Sequence, residues 1–151
     1  MQEAEYKKSI RSKKRRNVRM TKMLPEKKQI FILDDDESVC RALGILLVTY
    51  EFRVKTFVSA EDFFRAVPNR TPGCLLLDIH MSGLDGWETL QHLRTSGSRR
   101  PVIIMSADKN GGLNERALKT GAVGFLQKPF NDQALVDLIK VAFKRRNKHG
   151  K

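Results

Sequence analysis

Six polar or charged side chains stand where apolar segments of the chain end, although they are widely separated in the sequence: Asp34, Asp35, Asp36, Asp78, Ser106 and Lys128. Neighbouring carboxylates repel each other unless a cation lies among them. A hard divalent cation such as Mg²⁺ takes oxygen ligands, commonly one or two carboxylates together with phosphate oxygens and water. Asp34, Asp35 and Asp78 could therefore form a magnesium site, provided that the fold brings them together.

A carboxylate can also attack phosphorus and form an acyl phosphate, which gives Asp78 a second possible role. Phosphoryl transfer depends on positioning and charge neutralisation more than on covalent assistance. Mg²⁺, the ammonium group of Lys128 and the hydroxyl group of Ser106 would then surround the oxygens of the transferred group.

Short apolar runs alternate with segments of helical spacing from Gln29 onwards. The pattern predicts five strands, at residues 29–33, 52–56, 74–77, 101–105 and 122–126, with a helix after each. Ser59 and Asn131 are predicted to cap two of the helices, and Gly121 is predicted to close a third. Such alternation predicts a parallel sheet with helices on both faces, and ligands of such sheets bind at the carboxyl ends of the strands.

Four motifs, in this order and at this spacing, resemble the signature of response-regulator receiver domains: Ile32-Leu33-Asp34-Asp35-Asp36, Leu76-Leu77-Asp78-Ile79-His80-Met81, Ile104-Met105-Ser106-Ala107 and Gln127-Lys128-Pro129-Phe130. The resemblance covers roughly residues 29–144. It implies a doubly wound α/β fold, in which a five-stranded parallel sheet has the flavodoxin-like strand order 2-1-3-4-5.

The resemblance also implies a metal site and a phosphoacceptor. Asp34 and Asp35 match the acidic pair that binds Mg²⁺ in this family, and Asp78 matches the phosphoacceptor, which also binds the metal. The backbone carbonyl of His80 matches a further metal ligand. Asp36 is interpreted as a helix cap.

Three further residues match positions that contact the phosphoryl group or move on activation. Ser106 matches the hydroxyl that contacts the phosphoryl group and shifts in activation, and Phe125 matches an aromatic switch residue. Packing in the core is an equally good interpretation of Phe125. Lys128 matches the phosphate-binding lysine, whose bond to Pro129 is usually cis in this family.

The implied activity is signalling rather than turnover of a substrate. A histidine kinase or phosphotransfer protein would phosphorylate Asp78, with self-catalysed phosphorylation and dephosphorylation as the only chemistry. The surface of the fourth helix, fifth strand and fifth helix would then act on a downstream protein, as a monomer or as a phosphorylation-dependent dimer.

Two residues depart from the usual family pattern. The family usually has proline after the methionine of the second motif, where this chain has Ser82. His80 is not the commonest residue at its position. Its side chain is expected near the phosphoryl group, where it could tune the lifetime of phosphorylated Asp78.

The net charge of +12 is concentrated at the two ends of the chain. Residues 1–28 contain eleven Lys/Arg and three Glu, and residues 144–151 contain five Lys/Arg and no acid, whereas residues 29–143 have thirteen basic and fourteen acidic side chains. We interpret residues 1–28 as a disordered basic tail, 29–146 as the receiver domain and 147–151 as a basic end. The tail could bind nucleic acid electrostatically, or it could be an upstream extension without a role.

Cys40 and Cys74 lie inside apolar stretches without metal-binding spacing, which predicts two buried thiols in a reducing, cytoplasmic compartment. The sequence has no apolar run of the roughly 18–20 residues that span a bilayer.

Two other functions compete with the phosphoacceptor interpretation. Asp34 and Asp36 have the Asp-x-Asp spacing of phosphohydrolases that use an aspartyl-phosphate intermediate, although such enzymes commonly carry a cap domain that this length leaves no room for. A docking module that keeps only the fold is the other alternative. Both a stand-alone receiver and a piece of a longer protein fit the sequence.

Overall fold

The computed structural model describes residues 26–149, and within this range it contains one five-stranded sheet. The strands are β1 Gln29–Leu33, β2 Arg53–Phe57, β3 Cys74–Asp78, β4 Val102–Ser106 and β5 Gly124–Gln127. All neighbouring pairs are parallel, and the spatial order is β2-β1-β3-β4-β5. The predicted fold class and strand order are therefore confirmed.

Each strand is followed by a helix: α1 Glu37–Thr49, α2 Ala60–Ala66, α3 Gly86–Thr95, α4 Leu113–Lys119 and α5 Asp132–His149. Two of the predicted caps are present, because Ser59 Oγ accepts a hydrogen bond from the backbone N–H of Asp62, and Asn131 Oδ1 accepts one from that of Ala134. Asp36 caps α1 by accepting from the backbone N–H groups of Ser38 and Val39.

Strand boundaries differ from the prediction by one or two residues at four of the five strands. The largest difference is at β5, which begins at Gly124 rather than at residue 122. The backbone N–H of Ala122 donates to Ala117 in α4, so this residue belongs to the turn that ends the helix. Gly121 has a φ of 96° in this turn, a conformation that glycine adopts without strain.

The division of the chain into a tail, a domain and a basic end stays a prediction. Residues 1–25 lie outside the described part of the chain. Helix α5 continues through His149, so helical structure crosses the predicted boundary at residue 146. Within residues 26–149, no helix is both long and apolar enough to cross a lipid bilayer.

Apolar side chains cover both faces of the sheet, as expected for a parallel sheet between two helical layers. Phe31, Leu75 and Ile104 belong to a core cluster shared with α2, α3 and α4. The opposite face of the sheet packs against α1 and α5 in a second cluster, which includes both cysteines. Both are free and buried, as predicted, and burial raises the pKa of Cys40 to about 11 and that of Cys74 to about 12.

The parallel register aligns the carboxyl ends of the strands along one edge of the sheet. Leu33 of β1 pairs with Leu77 of β3, and Asp78 pairs with Met105 of β4. The loops that begin at Asp34, Ile79, Ala107 and Lys128 therefore leave the sheet side by side.

Candidate functional site

Three carboxylates meet at this edge of the sheet. Asp34, Asp35 and Asp78 each offer a carboxylate oxygen, and these oxygens lie within 4.8 Å of one another. Two oxygens bound to one Mg²⁺ at about 2.1 Å can be separated by at most about 4.2 Å. The cluster therefore fits such an ion after side-chain adjustments of several tenths of an ångström. Asp34 and Asp78 are buried, whereas Asp35 is exposed.

The ammonium group of Lys128 partly neutralises this cluster. Its Nζ donates a hydrogen bond to Asp34 Oδ2 at 2.8 Å and lies 3.5 Å from Asp78 Oδ1. Burial alone would lower the pKa of Lys128, but the hydrogen bond and charge of Asp34, followed by those of Asp78, outweigh burial and raise the pKa. The lysine is therefore held as a cation beside the two buried carboxylates. The peptide bond between Lys128 and Pro129 is cis.

Asp78 has an unfavourable environment for its charge. Burial is the largest cause that raises the pKa of Asp78, and the neighbouring charge of Asp34 raises it further. Lys128 lowers this pKa without cancelling the two effects. A cation added between the carboxylates would relieve this repulsion, which fits the donor set for a divalent metal.

Ser106, the last residue of β4, is fully buried at the same edge. Its hydroxyl oxygen accepts a hydrogen bond from the backbone N–H of Asp108 at 3.0 Å. The hydroxyl thus stabilises the start of its own loop in this conformation. The backbone carbonyl oxygen of Ser106 accepts a hydrogen bond from the backbone N–H of Lys128 at 2.7 Å, and this bond joins the ends of β4 and β5.

The remaining two predicted residues are His80, whose side chain lies at the rim of the site, and Phe125, which packs against the core. The His80 side chain is 63% exposed, and its Nε2 lies 3.6 Å from Asp108 Oδ2, so the two side chains connect the loops after β3 and β4. Phe125 in β5 is partly buried against the cluster that includes α3 and α4. Its role as a switch and the effect of His80 on the phosphate lifetime stay predictions.

Sequence reasoning missed two contacts of the site. Ser82 donates its backbone N–H to Asp35 Oδ2 at 3.1 Å, and its hydroxyl lies 3.5 Å from the same oxygen. Asp108 contacts both Ser106 and His80. Sequence analysis identified Ser82 only as a departure from the family pattern, and Asp108 carried no signal beyond its position in the loop after β4.

Comparison with known proteins identifies the family. Residues 30–140 match the model of the response regulator receiver domain. The transcriptional regulatory protein FixJ of Bradyrhizobium diazoefficiens is 37% identical over 119 residues, which are 79% of this chain and 58% of FixJ. TdiR of Thauera aromatica, also a transcriptional regulatory protein, is 38% identical over 75% of this chain and 50% of its own length. The chain thus spans about half the length of these curated relatives.

Solved structures show the same relationship. Full-length FixJ from B. japonicum superposes with a TM-score of 0.74 at 36% identity, over 80% of this chain and 60% of that one. The FixJ-N structure covers 78% of this chain and 94% of its own, with a TM-score of 0.72 and 31% identity. With its strand order and its match over residues 30–140, the chain belongs to the response regulator receiver domain family, the signalling modules of two-component systems.

Proposed function

We propose that Asp78 accepts a phosphoryl group from a histidine kinase or phosphotransfer protein in a Mg²⁺-dependent reaction in the cytoplasm. The observation that carries this proposal is the grouping of a buried Asp78 carboxylate with two further carboxylates and with the ammonium group of Lys128. A nucleophilic carboxylate, a cation site and a fixed positive charge are the groups that phosphoryl transfer requires.

Asp34, Asp35 and Asp78, with the backbone carbonyl of His80, would hold Mg²⁺, which neutralises charge on the phosphoryl oxygens when it is bound. A carboxylate oxygen of Asp78 forms the new bond to phosphorus while the bond from phosphorus to the donor's imidazole nitrogen breaks. The donor's nitrogen keeps the electron pair and is protonated. Lys128 is within reach of a group on Asp78, since its ammonium already lies 3.5 Å from that carboxylate.

The switch would begin at Ser106. A phosphoryl group on Asp78 offers oxygens to which the Ser106 hydroxyl can donate, in competition with the contact that it makes to Asp108 N. Rearrangement of this loop would alter the packing of Phe125 and the surface of α4, β5 and α5. That surface would bind a downstream protein or a second copy of the chain; the relatives named transcriptional regulatory proteins suggest a target in gene regulation.

Asp78→Asn tests the assignment of the phosphoacceptor. After incubation with Mg²⁺ and acetyl phosphate, the wild-type chain is expected to gain the mass of one phosphoryl group, because among residues 26–149 Asp78 is the one buried carboxylate that adjoins both the acidic pair and Lys128. The Asp78→Asn variant is expected to gain none. Intact-mass spectrometry measures both proteins, and chelator added beforehand should prevent the adduct on the wild type.

Either an equal adduct on Asp78→Asn or no adduct on a folded wild-type chain contradicts the proposal. The second result would favour the docking-module alternative.

Multiple turnover of a small phosphate ester would favour a phosphohydrolase, but Asp36, the second acid of the Asp-x-Asp motif, is engaged as the cap of α1. Hydrogen bonds from Ser38 lower the pKa of Asp36, so this carboxyl is poorly suited to donate a proton.

Ser82→Pro is expected to weaken Mg²⁺ binding by about tenfold, the lower limit of the effect for residues that orient metal ligands. Proline lacks the backbone N–H that Ser82 donates to Asp35. Ser82→Ala is the matched control: it keeps the N–H and loses only the long contact of the hydroxyl, so its affinity should stay within about twofold. Isothermal titration calorimetry with Mg²⁺ measures both, and equal affinities for the two variants would contradict an orienting role of the N–H.

A further inference from the structure

We propose that the amino-terminal edge of the sheet binds single-stranded nucleic acid. Six basic side chains form this surface, which we call the basic face: Lys27, Lys28, Arg53, Lys55, Lys140 and Lys144. It lies at the beginnings of the strands, whereas Asp78 lies at a strand end. The inference is therefore independent of the proposed phosphorylation.

Two adjoining cavities give the basic face a concave shape. One has a volume of about 460 Å³ and lies between the start of β1, the end of α1 and α5. The other has a volume of about 430 Å³ and lies in front of the first residues of β1, β2 and β3. Both include residues 26–28 and Phe143. Among the described residues that line the two cavities, Glu26 and Glu51 are acidic and six are basic, a ratio of three to one.

The topology explains why positive charge accumulates at this edge. Strand β1 begins here, and α5 returns to the same edge, where the Lys28 ammonium lies 5.6 Å from the centre of the Phe143 ring. Lys27 and Lys28 directly precede β1, and Lys140 and Lys144 lie on the part of α5 that reaches this edge, so the topology brings these four side chains together. Clustered positive charge of this kind attracts the phosphate backbone of nucleic acids.

Aromatic rings among the lysines favour a nucleic acid over other polyanions. The rings of Phe52 and Phe143 stack at 6.5 Å with an interplanar angle of 19°, and Tyr50 beside them is 40% exposed. Rings interleaved with basic side chains are the usual means by which proteins bind single strands, because every base can stack on them. A membrane-binding helix would carry exposed aliphatic side chains beside its charges, whereas the exposed aliphatic residues Ile45 and Val48 line a separate groove on α1.

The basic face and the carboxylate site are electrostatically separate. A five-residue strand spans about 16 Å, which is about twice the Debye length of about 8 Å at physiological ionic strength. The carboxylates therefore repel a strand bound at the opposite edge only weakly. Loss of Asp78 should leave nucleic-acid binding unchanged, so failure of one proposal can be distinguished from failure of the other.

Fluorescence anisotropy of the full chain with a fluorescein-labelled 20-nucleotide single strand of mixed sequence tests the proposal. The triple variant Lys28→Glu, Lys140→Glu and Lys144→Glu should bind about tenfold more weakly or worse at 100 mM NaCl. The slope of the logarithm of affinity against the logarithm of salt concentration should become shallower by about 2, at about 0.7 per lost phosphate contact. The matched control reverses three exposed charges elsewhere, Arg41, Arg65 and Lys109, and should change affinity by less than about threefold.

Tyr50→Leu tests whether bases stack on the face. It should weaken binding of the oligonucleotide by about fivefold, the lower limit for one stacked base. Its affinity for heparin, which has negative charge and no bases, should stay unchanged. Equal losses of affinity in the triple variant and its control would contradict binding at the basic face. An equal effect of Tyr50→Leu on the affinities for the oligonucleotide and for heparin would contradict base stacking. Binding to vesicles that contain phosphatidylserine without binding to the oligonucleotide would overturn the choice of nucleic acid.

Discussion

Lys128→Met is expected to slow phosphorylation of Asp78 by about a hundredfold or more. The ammonium group of Lys128 is a fixed cation 3.5 Å from the Asp78 carboxylate, and removal of one preorganised group that stabilises transition-state charge costs about 10²–10³ in rate. Methionine keeps most of the length of the side chain, so the packing of its methylene groups is largely conserved. The initial rate of adduct formation with acetyl phosphate, followed by intact mass, gives the effect.

The same variant should lose stability, because Asp34 and Asp78 would remain buried without their cation. Removal of one partner of a fully buried ion pair costs about 3–5 kcal/mol, and the 23% exposure of the Lys128 side chain reduces this to about 1–3 kcal/mol. Urea denaturation without Mg²⁺ measures it. Lys119→Met is the matched control: its ammonium lies 3.5 Å from Glu115 on the surface, so the change should stay below about 1 kcal/mol.

The stability deficit of Lys128→Met should depend on pH. The folded-state pKa of Asp78 is raised, so its ionisation costs stability above that pKa, and protonation relieves the cost as the pH falls through it. Ionisation of Asp78 costs more stability when Lys128 is absent. The difference in stability between the wild type and Lys128→Met should therefore shrink on acidification. The folded-state pKa of Lys128 is raised, so its contribution to stability is fully present at pH values below its unfolded-state pKa. This contribution is lost only in the alkaline range, as the pH rises through the folded-state pKa. Phosphorylation within threefold of wild type, or a deficit that grows on acidification, would contradict this account.

The fold and the carboxylate cluster could be predicted from sequence because each depends on a local pattern. Apolar runs alternate with helical periodicity, and a parallel sheet places every strand end on one edge. Asp34, Asp78 and Lys128 each follow or end such a run, so their meeting required no knowledge of side-chain conformation. The start of β5 was less certain, since the apolar residues Ala122 and Val123 continue the pattern of the strand although their backbone belongs to the preceding turn and its link to β4.

Contacts between loops could not be predicted in this way. The hydrogen bond from Ser82 to Asp35 joins residues 47 positions apart, in two loops without periodicity. The pairing of His80 with Asp108 likewise depends on how two loops lean towards each other. The meeting of Lys28 with Phe143 of α5 at one edge could not be predicted either, because it depends on both the direction of α5 and the start of β1.

Gly86→Ala is expected to destabilise the protein by about 2–4 kcal/mol. A Cβ atom at this position would lie 2.5 Å from the carbonyl oxygen of Asp78 and 2.5 Å from Cα of Ile79. Both are backbone atoms, so neither can turn away as a flexible side chain would, and overpacking of this kind costs about 1–3 kcal/mol or more. The N–H of Gly86 also donates to the carbonyl oxygen of Ile79 at 2.8 Å, and this bond would be strained as the backbones separate.

Gly111→Ala is the matched control, because a Cβ there would have no neighbour within 4 Å and the backbone does not have a positive φ. It should change the free energy of unfolding by less than about 1 kcal/mol, with stabilisation the expected sign, since alanine restricts the unfolded chain. Urea denaturation of both variants in the same buffer measures the difference.

The two substitutions should also differ in their effect on Asp78. Separation of α3 from the end of β3 displaces the backbone that carries the carboxylate, and a misplacement of about 1 Å at a reacting group can cost about a hundredfold in rate. Gly86→Ala should therefore slow phosphorylation even where it remains folded, whereas Gly111→Ala should not. A folded Gly86→Ala protein that phosphorylates at the wild-type rate would mean that α3 can retreat without moving β3. In that case the close contact at Gly86 would contribute to packing but not to the position of Asp78.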